Sequence, residues 1–224
     1  MRNVLFIAAL LLGAPIIASA HEDGGEKTKI SKVNGAVTAE AGHRYSELST
    51  VNGAVRIEAE AEVDEASTVN GSITVADGAR VGSLESVNGA VRVGERVEVS
   101  GNIETVNGGI TIGTGSRVAG AVENVNGSMT LDGAELESIE TVNGGLNLVR
   151  DVHVRGGITV RKPSGMRWFG WGTRTPPTVV IGPGSKVDGA LIFEQEVTLY
   201  VHETAQIGPV TGAEALTFSG DRPD

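Results

Sequence analysis

The chain has 224 residues, with 28 acidic and 18 basic side chains, a net charge of −10 and no cysteine. The acidic balance argues against binding nucleic acid or anionic lipid along the length of the protein. The lack of cysteine excludes disulfides and a cysteine-linked lipid anchor. Thirty-two glycines and only 4% aromatic residues favour a narrow coil with many turns over a globular core.

Residues 1–20 predict a signal peptide. Arg2 gives a positive start, residues 4–12 are an apolar run, and residues 18–20 read Ala-Ser-Ala, a small-x-small cleavage site. We expect cleavage after Ala20 and an exported protein, either periplasmic or secreted. No later stretch has the length of a transmembrane helix. Residues 21–31 form a polar segment that can act as an N-terminal cap.

A Val-Asn-Gly motif then recurs seven times, in steps of 18, 18, 18, 19, 19 and 17 residues. The copies begin at Val33, Val51, Val69, Val87, Val106, Val125 and Val142. A fixed period of this length, repeated this often, indicates one supersecondary unit stacked on itself.

A finer beat of six residues divides each repeat into three stretches. Aliphatic residues fall at Val51, Ile57, Val63 and Val69, and the stretch from Ile57 to Val63 alternates apolar and acidic residues as a strand does. We therefore predict an all-β, single-domain parallel β-helix with about 18 residues in each three-strand coil and one buried aliphatic in each stretch. It spans residues 32–160 and resumes over residues 179–212, with roughly eleven coils in all. A right-handed coil is favoured over a left-handed one, because crossovers between parallel strands are generally right-handed.

The asparagines of the motif predict a structural ladder. Asn and Gly tolerate left-handed backbone at sharp corners, and stacked asparagines hydrogen-bond to one another along the axis. The predicted ladder comprises Asn34, Asn52, Asn70, Asn88, Asn107, Asn126 and Asn143. A ligand-binding row is the alternative interpretation.

The repeat is interrupted by an aromatic-basic loop insertion at residues 161–178. It holds both tryptophans, three of the seven prolines and four basic residues with no acid. The loop could pack on a flank of the coil, with its arginines neutralising acidic rows. It could instead bind an envelope glycan, a protein or a membrane interface, since Trp and Arg are enriched at binding hot spots. The candidate partner-binding residues are Arg167, Trp168, Phe169, Trp171 and Arg174.

Candidate catalytic groups are sparse. The four histidines, His21, His43, His153 and His202, do not fall at metal-ligand spacing, and no cysteine accompanies them. We predict that the protein is not an enzyme and uses no cofactor or metal, with His43 and His202 on the surface. A hexapeptide-type transferase, which uses a histidine base between subunits, is the third alternative.

Three stretches, residues 78–84, 115–122 and 184–191, share a Gly-small-x-Val phrase followed by a small residue and an aliphatic. In this phrase, over residues 30–212, the chain resembles the bactofilins, bacterial β-helix proteins that form polymers. It is also similar to exported repeat proteins grouped as adhesins. Bactofilins are cytoplasmic, whereas this chain carries an export signal. The resemblance implies a self-assembling structural protein.

The sequence thus predicts a non-enzymatic exported scaffold or binding protein of the bacterial cell envelope. End coils of a β-helix expose unpaired strand edges, so its partner could be a second copy joined end to end. Residues 213–224, a polar tail, could instead cap the stack. The main alternative is an adhesin-like or polysaccharide-binding protein that uses the loop from Trp168 to Trp171.

Overall fold

The computed structural model describes residues 27–163 and 175–223, which form strands and turns and contain no helix. Parallel strands stack into a β-helix of three faces, as predicted. The first face is a ten-stranded sheet, and the strands are numbered along the chain. Its strands are β2 (Val37–Ala39), β4 (Val55–Ile57), β6 (Ile73–Val75), β8 (Val91–Val93), β11 (Ile110–Ile112), β13 (Met129–Leu131), β15 (Leu146–Leu148), β18 (Thr178–Ile181), β21 (Thr198–His202) and β24 (Ala215–Phe218).

The second and third faces share one continuous sheet, because most strands bend around the corner between them. Six strands make this bend: β1 (Thr28–Asn34), β3 (Arg44–Asn52), β5 (Glu62–Asn70), β7 (Arg80–Asn88), β12 (Arg117–Asn126) and β14 (Glu135–Asn143). In four coils the two faces are separate strands: β9 (Glu98–Val99) with β10 (Ile103–Asn107), β16 (His153–Val154) with β17 (Ile158–Val160), β19 (Lys186–Val187) with β20 (Leu191–Phe193), and β22 (Gln206–Ile207) with β23 (Val210–Thr211).

Neighbouring coils pair in parallel register, so residues one repeat apart lie above one another. Leu48 pairs with Ala66 and Ala66 with Leu84. Ten strands on the first face mean ten coils, about one fewer than predicted. At about 4.8 Å for each coil the rod is roughly 45 Å long. Within the described residues no helix could cross a membrane.

Six of the seven Val-Asn-Gly valines are not buried, contrary to prediction; Val142, at 5% exposure, is the exception. In β5 the inward residues are Val63, Ala66 and Thr68, and Val69 faces outward and is half-buried. The strand turns its corner at Asp64 and Glu65, two successive residues that both point outward. This corner shifts the alternation by one residue and breaks the beat of six.

An inward-facing hydroxyl takes the place of that predicted aliphatic. Thr68 Oγ1 donates to the carbonyl of Gly53 in the preceding coil at 3.0 Å, and Thr50 does the same to Gly35 at 3.0 Å. The structural motif of the repeat is therefore a polar residue followed by Val-Asn-Gly. The hydroxyl satisfies a backbone carbonyl at the corner, which would otherwise be costly to bury.

The left-handed corner also lies elsewhere than predicted. It is the turn between the first and second faces that has positive φ, including three non-glycine residues, Glu60, Arg96 and Asp151. At the Asn-Gly corner only Gly35 and Gly127 have positive φ. The other glycines there are required by close stacking. A Cβ on Gly71, for example, would lie 1.8 Å from the carbonyl oxygen of Gly53.

The solenoid extends beyond both predicted boundaries. Strand β1 begins at Thr28, inside the segment expected to cap the N-terminus. Strand β24 lies inside the expected polar tail and pairs with β21, so that Ala215 stacks on Leu199. This final strand could not be predicted from the sequence. Its few apolar residues stand among polar ones, and its pairing partner lies sixteen residues earlier in the chain.

Candidate functional site: the outer columns

The outward side chains form columns that run parallel to the rod axis. Because each coil repeats the register of the one before, equivalent residues lie about 4.8 Å apart along a column. A continuous surface of four distinct columns covers the second face, the third face and the corner beyond it. Each column has its own chemistry.

The column on the second face alternates in charge. Arg44 Nε lies 2.9 Å from a Glu62 oxygen, and Arg117 Nη2 lies 2.6 Å from a Glu135 oxygen. The column reads Arg44, Glu62, Arg80, Glu98, Arg117, Glu135, His153, Lys186. Sequence analysis missed it, although the alternation of sign at each repeat could have revealed it. Opposite charges directly across paired strands stabilise the sheet.

The first column on the third face changes from serine to glutamate. Its members are Ser31, Ser49, Ser67, Glu85, Glu104, Glu123 and Glu140. Partial burial, and then the charge of Glu104, raise the pKa of Glu85 and of Glu123 above the ordinary value of 4.5. Like charges in register are unfavourable, so this column is stabilised by any neighbour that offers hydrogen-bond donors or positive charge.

The motif valines and asparagines supply the remaining two columns. The valines from Val51 to Val125 are half-buried, whereas Val33 at the end of the rod is 46% exposed. In the asparagine ladder each side-chain amide donates to the Oδ1 of the asparagine one coil earlier, at 2.9–3.1 Å. The ladder therefore has a structural role in the fold.

The insertion leaves the rod at the C-terminal end of these columns. Arg161 makes a two-point contact with Glu140, at 2.5 and 2.8 Å, and a third with Glu194 at 3.4 Å. The Lys162 amide donates to Glu194, and Gln195 Nε2 donates to the carbonyls of Arg161 and Val142. The insertion thus begins at a fixed, hydrogen-bonded base. The predicted binding residues Arg167, Trp168, Phe169, Trp171 and Arg174 lie outside the described residues.

The described histidines are separated from one another. His153 Nε2 lies 2.7 Å from Asp188, and His43 Nδ1 contacts the Ala41 carbonyl. His202 is only 7% exposed, so its predicted surface position was wrong. Its ring meets Phe218 edge-on at 5.1 Å, because β24 continues the fold over it. No group of three potential metal ligands occurs among the described residues.

The C-terminal tail forms a groove with the first face. Asp221, Arg222 and Pro223 line a cavity together with Thr130, Asn147 and Val180. These partners belong to coils six to eight, so the tail runs back along the side of the rod. It does not lie across the end of the stack.

Comparison with known proteins gives no further assignment. No family model, no curated protein and no solved structure matches the chain. Functional argument therefore rests on the columns, the insertion base and the two ends.

Proposed function

We propose that the protein is a non-enzymatic, exported β-helix of the bacterial cell envelope that acts as a scaffold or binding element. The observation that carries the proposal is the unbroken set of outer columns over seven successive coils. Such a surface offers contacts repeated at each coil along a rod rather than side chains that converge on one reacting atom. Residues 1–20, with the composition of a signal peptide, support the envelope location.

Assembly end to end is part of this proposal. All ten coils have a strand on each of the three faces; the first described strand lies on the second face and the last on the first face. The strand edges of the first and last coils can therefore pair between two copies. Every residue of β24 is at least partly exposed, Leu216 to 48%, as expected of an open end.

The charges of the two ends also favour head-to-tail contact. Among the described residues, the first coil carries Lys27, Lys29 and Lys32 against Glu40, and the last coil, residues 206–218, carries Glu214 and no basic residue. Opposite charge on the two ends favours their association over the association of like ends.

Light scattering after size-exclusion chromatography, with negative-stain electron microscopy, tests this assembly on residues 21–224. We expect mass to rise with concentration and rods to lengthen in multiples of about 45 Å. Leu216→Lys combined with Thr211→Lys should abolish lengthening, because lysine on an edge strand opposes pairing. Thr111→Lys places a lysine on an interior coil and should have no effect. A wild-type rod of constant length at every concentration would contradict end-to-end assembly.

Glycan binding through the insertion is the second candidate. The anchored base from Arg161 to Gln195 favours it, because a fixed base reduces the ordering cost of binding. Cosedimentation with purified peptidoglycan is the measurement. Trp168→Ala with Trp171→Ala should lose binding and retain assembly, whereas Tyr200→Ala, an aromatic control on the first face, should retain both. Binding that survives the tryptophan substitutions would exclude the insertion as the site.

A further inference from the structure

The third face differs from the other two in having an apolar column between two hydrogen-bonding columns. The valines of the motif occupy the centre, the serine-glutamate column lies on one side, and the asparagine ladder lies on the other. At coil seven Arg161 contacts Glu140, Gln195 donates to the Val142 carbonyl, and Val142 is only 5% exposed. We propose that the third face of coils one to six binds a second copy of the chain, side by side, with the two rods parallel.

The order of the columns selects the parallel arrangement. A two-fold axis along the rods brings valine against valine and sets each serine or glutamate opposite an asparagine of the same coil. Each ladder asparagine uses one amide hydrogen on its neighbour, which leaves the second for the facing oxygen. In the antiparallel arrangement the asparagines would face one another and the glutamates would face serines, and Ser49 already donates its hydroxyl hydrogen to Ser31.

The glutamates gain most from this pairing. Burial and mutual repulsion raise the pKa of Glu85 and of Glu123, and Arg161 is the cation that pairs with the column, at Glu140. Amide donors from a second copy would reach the other carboxylates. Charge-assisted hydrogen bonds of this kind are roughly twice as strong as neutral ones.

The available area is sufficient for a weak specific dimer. Six coils at about 4.8 Å and five strand residues at about 3.3 Å give a patch of roughly 475 Å² on each copy. Two copies then bury about 950 Å², close to the lower bound of about 1,000 Å² for a specific interface. The patch ends at Asn126, because Arg161 and Gln195 contact the next coil.

Cysteine cross-linking tests the arrangement directly, because the chain has no cysteine of its own. In parallel rods residue 51 faces residue 51 of the other copy. Val51→Cys should therefore form a disulfide dimer on mild oxidation, and so should Val106→Cys. In antiparallel rods the two mutants would cross-link only when mixed, because Val51 lies in coil two and Val106 in coil five, symmetric about the middle of the six-coil patch. Thr111→Cys, on the first face, is the control and should remain a monomer.

The dimer contact is separable from end-to-end assembly. Val87→Asp with Val106→Asp should weaken dimerisation at least 100-fold in light scattering, and Thr111→Asp should not. The edge variant Leu216→Lys with Thr211→Lys should stop lengthening and leave the dimer intact. An edge variant that stays monomeric, or cysteine variants that cross-link only when mixed, would overturn the inference. The cross-linking and edge-variant results test dimerisation through the third face, independently of end-to-end assembly.

Discussion

Coils one to seven and coils eight to ten share a core but differ in their corners. In the first seven, successive coils are offset by 17–19 residues. In the last three, the paired residues Leu146 and Val179 are 33 apart, Val179 and Leu199 are 20 apart, and Leu199 and Ala215 are 16 apart. The inward aliphatics stack equally well in both regions. A continuous core therefore does not require coils of constant length.

The asparagine ladder tolerates offsets of 17 to 19 residues but requires the same corner in every coil. Side chains meet one coil apart only if every corner places them in the same position, and the asparagine ladder stops at Asn143, before the insertion. Beyond it single contacts take over: Gln195 bridges two carbonyls, and Ser185 Oγ accepts from the Val152 amide at 3.2 Å. Coils one to seven therefore carry repeated side-chain contacts, whereas coils eight to ten accommodate an insertion.

Gly71→Ala should have the largest effect on stability. Its Cβ would lie 1.8 Å from a backbone oxygen that cannot move without shifting the preceding coil. We expect a loss of about 3 kcal/mol in the free energy of unfolding, measured by urea denaturation. Gly145→Ala is the control, since its Cβ would make only an ordinary contact at 3.4 Å. Equal losses in the two variants would show that stacking does not require glycine at the corner.

Gln195→Ala tests the contacts that replace the ladder. Removing the amide leaves the carbonyls of Val142 and Arg161 without their donor. We expect a loss of about 2 kcal/mol in the free energy of unfolding. Gln206→Ala removes the same amide from an exposed position on the second face and should change stability little. If both variants unfold at the same urea concentration, the insertion base is held by other contacts.

The period of the repeat was sufficient to predict the fold but not the direction of each side chain. The eighteen-residue spacing led directly to parallel coils, and the six-residue beat assigned Ile57 and Val63 correctly to the core. The prediction that Val69 is buried was wrong, because two outward residues at one corner shift the alternation. A periodicity argument assumes that no such shift occurs. The alternating column from Arg44 to Glu135 needed only the known period and the sign of each charge. The insertion base could not have been predicted, because it joins residues more than twenty positions apart across the break.

The asparagine ladder predicts a position-dependent effect within the regular region. Asn88 donates to Asn70 and accepts from Asn107, both at 3.0 Å. Asn34, at the end, only accepts from Asn52. Asn88→Ala should therefore lower the free energy of unfolding by about 1 kcal/mol and Asn34→Ala by about half as much. Equal losses of stability in the two variants would mean that a hydrogen bond between ladder amides is no more favourable than one to water.

Glu104→Gln should have the smallest effect, and it should be stabilising. Glu104 lies between Glu85 and Glu123 and raises the pKa of both. A carboxyl whose pKa is raised by folding favours the folded state at low pH, and this contribution is lost as the pH rises through the folded pKa. The wild-type column therefore opposes folding at neutral pH. Removing its central charge should add about 0.5 kcal/mol to the free energy of unfolding at pH 7.

The gain should disappear as the pH falls below the ordinary glutamate value of 4.5, because the wild-type column is then protonated as well. Glu98→Gln in the alternating column is the matched control. It removes a carboxylate that lies 3.3 Å from Arg80, so the same change of charge should slightly reduce stability at pH 7. Opposite signs in the two variants, measured by urea denaturation across the pH range, would show that the two columns differ in electrostatics as their register implies. A gain of the same size in both would attribute the effect to net charge alone.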